Sequence, residues 1–130
     1  MTTPALICAG SEPPSQLLTS SQTERMSPLA CNALALSSEA RKRHFQEVGP
    51  ALLKLKKSSR ELPDGYEFEF SADRSTYQLL TEWAFEERLC CPFLEIALRF
   101  DREGGPIWLR LTGRPGTKEF IKLELASAIQ

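Results

Sequence analysis

The stretch of the chain best equipped for chemistry is Glu86-Glu87-Arg88-Leu89-Cys90-Cys91-Pro92-Phe93. Thiolates bind Zn, Cu(I), Hg and related thiophilic ions because soft sulfur donors match soft cations. Two adjacent cysteines reach one ion only with unusual backbone geometry, and a disulfide between them would be strained. A stable site therefore needs a third ligand, and Cys31 is the candidate. Glu87 lies three residues before Cys90, on the same side of a helix, and could act as a fourth ligand or a proton acceptor. The expected metal set is Cys31, Cys90, Cys91 and Glu87, filled by an ion such as Zn, Cu(I) or Hg. There is no C-x-x-C pair and only one histidine, so this is not a zinc-finger pattern.

Packing is the commoner fate of such residues, since free cysteine often behaves as a small buried hydrophobe. Electrostatics also argue against a reactive thiolate here. The C-terminal end of a helix carries partial negative charge, and Glu86 and Glu87 add to it. A bound cation would reverse that penalty.

The elements that must position these residues are legible in part. Pro28 to Leu34 reads as a short strand, with Cys31 on the same period as Leu29 and Ala33. Ser37 or Ser38 caps a helix running to about Ser59, with Glu39 in its first turn and a stripe of Phe45, Val48, Leu52 and Leu55. Gly49-Pro50 predicts a kink within it or two shorter helices. Leu62-Pro63-Asp64-Gly65 is a turn, and Tyr66, Phe68 and Phe70 alternate along a strand. Asp73 caps a second helix over about 74–89, with Tyr77, Leu80 and Ala84 inward and Trp83 beside them; Pro92 stops it. Leu94 to Phe100 and Ile107 to Thr112 form an antiparallel hairpin around Arg102-Glu103-Gly104-Gly105. Thr117 caps a last helix with Phe120, Ile121, Leu125 and Ala128 inward. The order is β-α-β-α-β-β-α, an α+β domain with a mainly antiparallel sheet and its helices on one face.

The chain has 130 residues, 42% apolar and 25% charged, with net charge -1. One globular domain accounts for that length and composition. The first 26 residues, rich in Pro, Ser and Thr, read as a flexible tail, with residues 27–130 as the domain and Met26 an alternative start. Near-neutral charge argues against a dedicated nucleic-acid binder. The seven basic residues between 38 and 60, against Glu39 and Glu47, read as a solvated helix face without interleaved aromatics for base stacking. His44 sits in that run without an Asp or Ser partner in a matching motif, so a surface or packing role is expected. Gly113 to Lys118 precedes a helix but lacks the glycine spacing of a phosphate loop. No apolar run spans a membrane, and cysteines without a secretory leader point to a reducing cytoplasm. Cys8 belongs to none of these patterns.

Cys31 with Ala33-Leu34-Ala35-Leu36-Ser37, Glu61-Leu62-Pro63-Asp64-Gly65-Tyr66, Glu82-Trp83, Glu87-Arg88-x-Cys90-Cys91-Pro92-Phe93-Leu94, Leu111-Thr112-Gly113 and Gly116-Thr117-Lys118-Glu119-Phe120 are the distinctive blocks. Over about 28–121 the chain resembles a family of small, functionally uncharacterised bacterial proteins. The resemblance implies a bacterial cytosolic protein with Cys31, Cys90 and Cys91 as the matching thiols. It supplies no reaction.

Two functions follow as expectations. One is binding of a soft metal, metalloid or thiol reagent for scavenging or sensing. The other is a non-catalytic interaction module, self-associating through the basic helix or an exposed Trp108, whose cysteines only pack. No complete catalytic constellation is visible, so the reading leans away from an enzyme.

Overall fold

The computed structural model describes residues 26–129. The predicted tail, apart from Met26, and Cys8 lie outside the described residues, as does the side chain of Ala128. A 3-10 turn at Ala33–Ala35 comes first. Helix α1 (Ser38–Lys42) is capped by Ser37, whose side chain accepts from the Ala40 N–H at 3.1 Å. A π-helical turn, Arg43–Val48, carries α1 without a break into α2 (Gly49–Leu55). Strands β1 (Ser58–Leu62) and β2 (Gly65–Phe70) follow, then helix α3 (Arg74–Cys90), strands β3 (Glu95–Phe100) and β4 (Ile107–Thr112), and helices α4 (Thr117–Glu124) and α5 (Ala126–Ile129).

The α+β class and the antiparallel sheet hold. The four strands pair antiparallel throughout in the order β1-β2-β4-β3. The register sets Tyr66, Phe68 and Phe70 opposite Leu111, Leu109 and Ile107, and these opposite Ile96, Leu98 and Phe100. That face carries the helices; Val48 and Leu52, Leu80 and Trp83, and Ile121 bury against it. The other face is polar. There Arg60 and Arg99 both bond Glu67, at 2.6 and 2.8 Å, and both guanidinium groups lie over the ring of Trp108. Trp108 also donates to Asp101 at 3.1 Å, so the indole proposed above as an exposed contact is half-buried under guanidinium groups.

Several features differ from expectation. The first strand falls on Ser58–Leu62, not on Pro28–Leu34, and the predicted first helix ends at Leu55 instead of Ser59. Ser58 to Leu62 has no apolar alternation; the two-residue connection Pro63-Asp64 folds it back onto β2, and backbone pairing makes it a strand. At Gly49-Pro50 the two shorter helices expected there are found, α1 and α2, joined through the π turn. The π turn before Pro50 widens the backbone where the ring would meet the preceding carbonyls, and Pro50 occupies the first turn of α2, where its missing N–H costs nothing. The wide turn also changes the helix face. His44, Val48 and Leu52 are buried, while Phe45 and Leu55 are exposed. On α3 the buried stripe is Thr76, Leu80, Trp83, Glu87 and Cys90, with Tyr77 exposed. Finally, Gly116 rather than Thr117 is the last helix's N-cap residue, and Thr117 is buried as its first helical residue.

Candidate metal centre

Cys90 is the last residue of α3, and Asp73 at the other end anchors that helix by accepting from the Thr76 N–H at 2.9 Å. The 4,3,4,3 spacing of Thr76, Leu80, Trp83, Glu87 and Cys90 turns all five inward. At Cys91 the chain leaves helical geometry (φ -128°, ψ 68°), although its N–H still donates to the Glu87 carbonyl at 2.8 Å. This change between neighbouring residues allows both sulfurs to face one point. Pro92 enforces it, because the residue before proline resists the helical conformation.

Cys31 reaches the same place by a different route from the predicted strand. The N–H of Asn32 donates to the carbonyl of Cys90 at 2.7 Å, tying residues 31–32 to the end of α3 and satisfying one of its free carbonyls. Farther back, Arg114 bonds the Ser27 carbonyl, and Leu29 rests on Gly116. The Sγ atoms of Cys31, Cys90 and Cys91 all lie within 4.8 Å of one another. Sulfurs sharing an ion at ~2.3 Å in tetrahedral geometry sit ~3.8 Å apart, so small side-chain rotations suffice to close the set. Cys31 is exposed, whereas Cys90 and Cys91 are buried. The three cysteines are close enough to hold a metal.

Glu87 is buried beside them, and Cys90 Sγ lies 3.7 Å from its Oε1. Its partner is the residue that sequence reasoning set aside. His44 is buried on the π turn, with Nε2 2.7 Å from Glu87 Oε1 and its ring stacked on Trp83 at 5.8 Å. His44, Glu87 and Cys90 offer a second group of ligand atoms within 4.8 Å, sharing Cys90 with the first. His44 Nδ1 is buried with no hydrogen-bond partner among the described residues. The available signal was the spacing of His44, Val48 and Leu52 together with Glu87 in the apolar stripe of α3: a buried carboxylate needs a partner.

The thiols do not ionise alike. The Cys90 thiol is lowered to about 6, first by the hydrogen bond from Cys91 and then by that from His44, against burial. Cys31, exposed as a residue but with its sulfur partly desolvated by the neighbouring thiols, is raised to about 11 by that desolvation and by its bond to Cys90, and Cys91 is raised by its bond to Cys90 and by burial. Burial pulls His44 down, but its bonds to Cys90 and Glu87 win, and it is raised to about 9. Ionisation within the cluster is therefore favoured at Cys90, with Cys31 and Cys91 held toward S–H and His44 toward the imidazolium. His44 supplies the cation that offsets the helix end and Glu87.

No family model, curated protein or solved structure matches the chain. No helix among the described residues is long and apolar enough to cross a membrane. The basic helix face is partly neutralised, since Arg43 bonds both Glu82 and Glu47.

Proposed function

We propose that the protein binds a thiophilic metal or metalloid ion through Cys31, Cys90 and Cys91, for scavenging or sensing in a bacterial cytoplasm, and that it belongs with the small proteins sharing its Glu-Arg-x-Cys-Cys-Pro-Phe block. The convergence of three sulfurs from two distant chain segments carries this reading. Purely structural cysteines need not converge, and a packing role leaves an exposed Cys31 beside two buried thiols without explanation. Three sulfurs favour soft ions over hard ones. Glu87, whose Oε1 lies 3.7 Å from Cys90 Sγ, is the carboxylate at hand for an ion that requires a fourth ligand, as Zn does.

The test is titration of the reduced protein with Hg(II), Zn(II) and As(III), followed by thiolate-to-metal charge-transfer absorbance. One equivalent should bind, and Cys31→Ser and Cys91→Ser should each abolish the band. Absence of stoichiometric binding by any of the three ions overturns the reading and leaves the interaction module. In that case Trp108→Ala should change sedimentation behaviour.

A further inference from the structure

A cavity of about 310 Å³ lies between the helices and the inner face of the sheet, and Cys31, Cys91, His44 and Glu87 form one part of its wall. The rest is largely apolar, with Leu52, Phe68, Leu109 and Phe120 among its lining residues. A bare ion fills only its own coordination sphere and has no use for such a space. A cavity of ~150 Å³ lined by aliphatic and aromatic side chains is enough to hold benzene. An apolar chamber of a few hundred Å³ with a small group of convergent polar atoms is the usual form of a small-molecule site.

We propose that the cluster takes an organic compound of a soft metal or metalloid bearing one carbon substituent, such as an arylarsenic(III) species, with the head on Cys31 and Cys91 and the organic group in the cavity. This rests on the thiophile-binding reading above and names its ligand class. The division among the sulfurs follows from the wall: Cys31 and Cys91 line the cavity and Cys90 does not. An arylarsonous acid, R–As(OH)₂, has two exchangeable oxygens. Two thiols replace them, forming two As–S bonds and breaking two As–O bonds. Each thiol proton leaves with a hydroxyl as water, and arsenic stays in the +3 state. The carbon substituent takes the third position on arsenic and points into the apolar chamber. Inorganic As(OH)₃ has no such substituent and uses all three sulfurs.

The experiment compares phenylarsine oxide, its methyl counterpart and arsenite on the reduced full chain, with stoichiometry from native mass spectrometry and affinity from competition with a dithiol. The phenyl compound should bind one to one and at least tenfold more tightly than the methyl compound. Cys90→Ser should weaken arsenite at least tenfold and leave the phenyl compound within a few-fold. Leu52→Phe, which fills the chamber, should weaken the phenyl compound at least tenfold and spare arsenite; Leu53→Trp at its more exposed side provides a second filled variant should the first fold poorly. Equal affinity for phenyl and methyl compounds, or loss of phenyl binding in Cys90→Ser, overturns this proposal while arsenite binding keeps the parent reading intact. Failure of the phenyl compound and of every bare ion to bind overturns both.

Discussion

His44 Nε2 and Glu87 Oε1 lie 2.7 Å apart in the interior, and the same carboxylate oxygen is 3.7 Å from Cys90 Sγ. A π-helical turn supplies the first residue and the far end of α3 supplies the other two. The arrangement balances two opposite proton linkages.

His44, raised to about 9 in the fold, contributes stability that is complete below its ordinary value of 6.5 and lost as pH rises through about 9. Cys90, lowered to about 6, contributes stability that is complete above its ordinary value of 9.0 and lost as pH falls through about 6. Between about 6.5 and about 9 the two slopes oppose each other, so this pair leaves wild-type stability nearly level. Cys90→Ser should remove the rising slope and leave the histidine's falling one, made shallower because the bond to Cys90 that helps raise His44 is also lost and only the pairing with Glu87 remains. His44→Gln should unmask the thiol, giving stability that rises toward pH 9. Each slope is at most ~1.4 kcal/mol per pH unit, the value for one whole proton. Urea unfolding of both variants across this range is the measurement, and slopes of the same sign in both would refute the assignment.

Removing Glu87 leaves the imidazolium buried against an apolar helix face. Glu87→Ala should cost roughly 3 kcal/mol, the order expected when one member of a buried ion pair is deleted. Glu87→Gln retains a hydrogen-bonding group and should cost less. In both variants the His44 ring should titrate lower than in the parent, readable from its carbon-bound proton shifts by NMR. An unchanged titration would mean that Glu87 does not hold the charge.

Ion binding by all three sulfurs requires thiolates, and Cys31 and Cys91 are both held toward the S–H form. Binding Hg(II) to them must expel their protons. In lightly buffered solution at pH 7.5, that release can be read directly, after correction for the ion's own hydrolysis. Release should match the thiols of Cys31 and Cys91, and Hg(II) affinity should rise with pH, whereas As(OH)₃ takes the thiol protons away as water and should release none. A pH-independent Hg(II) affinity between 7 and 9 would exclude a three-thiolate site.

Much of this was visible in the chain before the structure. The hairpin of β3 and β4 follows from strict alternation around Gly104-Gly105, and the end of α3 from Pro92. Cys31, Cys90 and Cys91 were matched by chemistry alone. The local pattern failed where distant contacts decide conformation. Pro28 to Leu34 is apolar enough for a strand, yet Asn32 spends its N–H on the Cys90 carbonyl, and the 3-10 turn at Ala33–Ala35 follows at once. Ser58 to Leu62 shows nothing of a strand in its side chains and becomes one by pairing with β2. His44 was hidden because a 3.6-residue period assigns Phe45 to the core. The π turn advances by less than 100° per residue, which swings Phe45 outward and His44 in.

Leu29, two residues before Cys31, packs directly on Gly116 at the start of α4. Gly116 has φ +100°, and a Cβ there would stand 2.5 Å from Leu29 Cδ1. Gly116→Ala should therefore cost about 1–2 kcal/mol from the left-handed backbone and also push Leu29 and the segment behind it. Gly104 provides the control, since it too has positive φ (73°) but nothing lies within 4 Å of an added Cβ. Gly104→Ala should lose comparable stability and bind Hg(II) or As(III) as the parent does, whereas Gly116→Ala should bind several-fold more weakly at a temperature where both remain folded. Equal affinities in the two variants would show that Cys31 is placed by its bond to α3 alone.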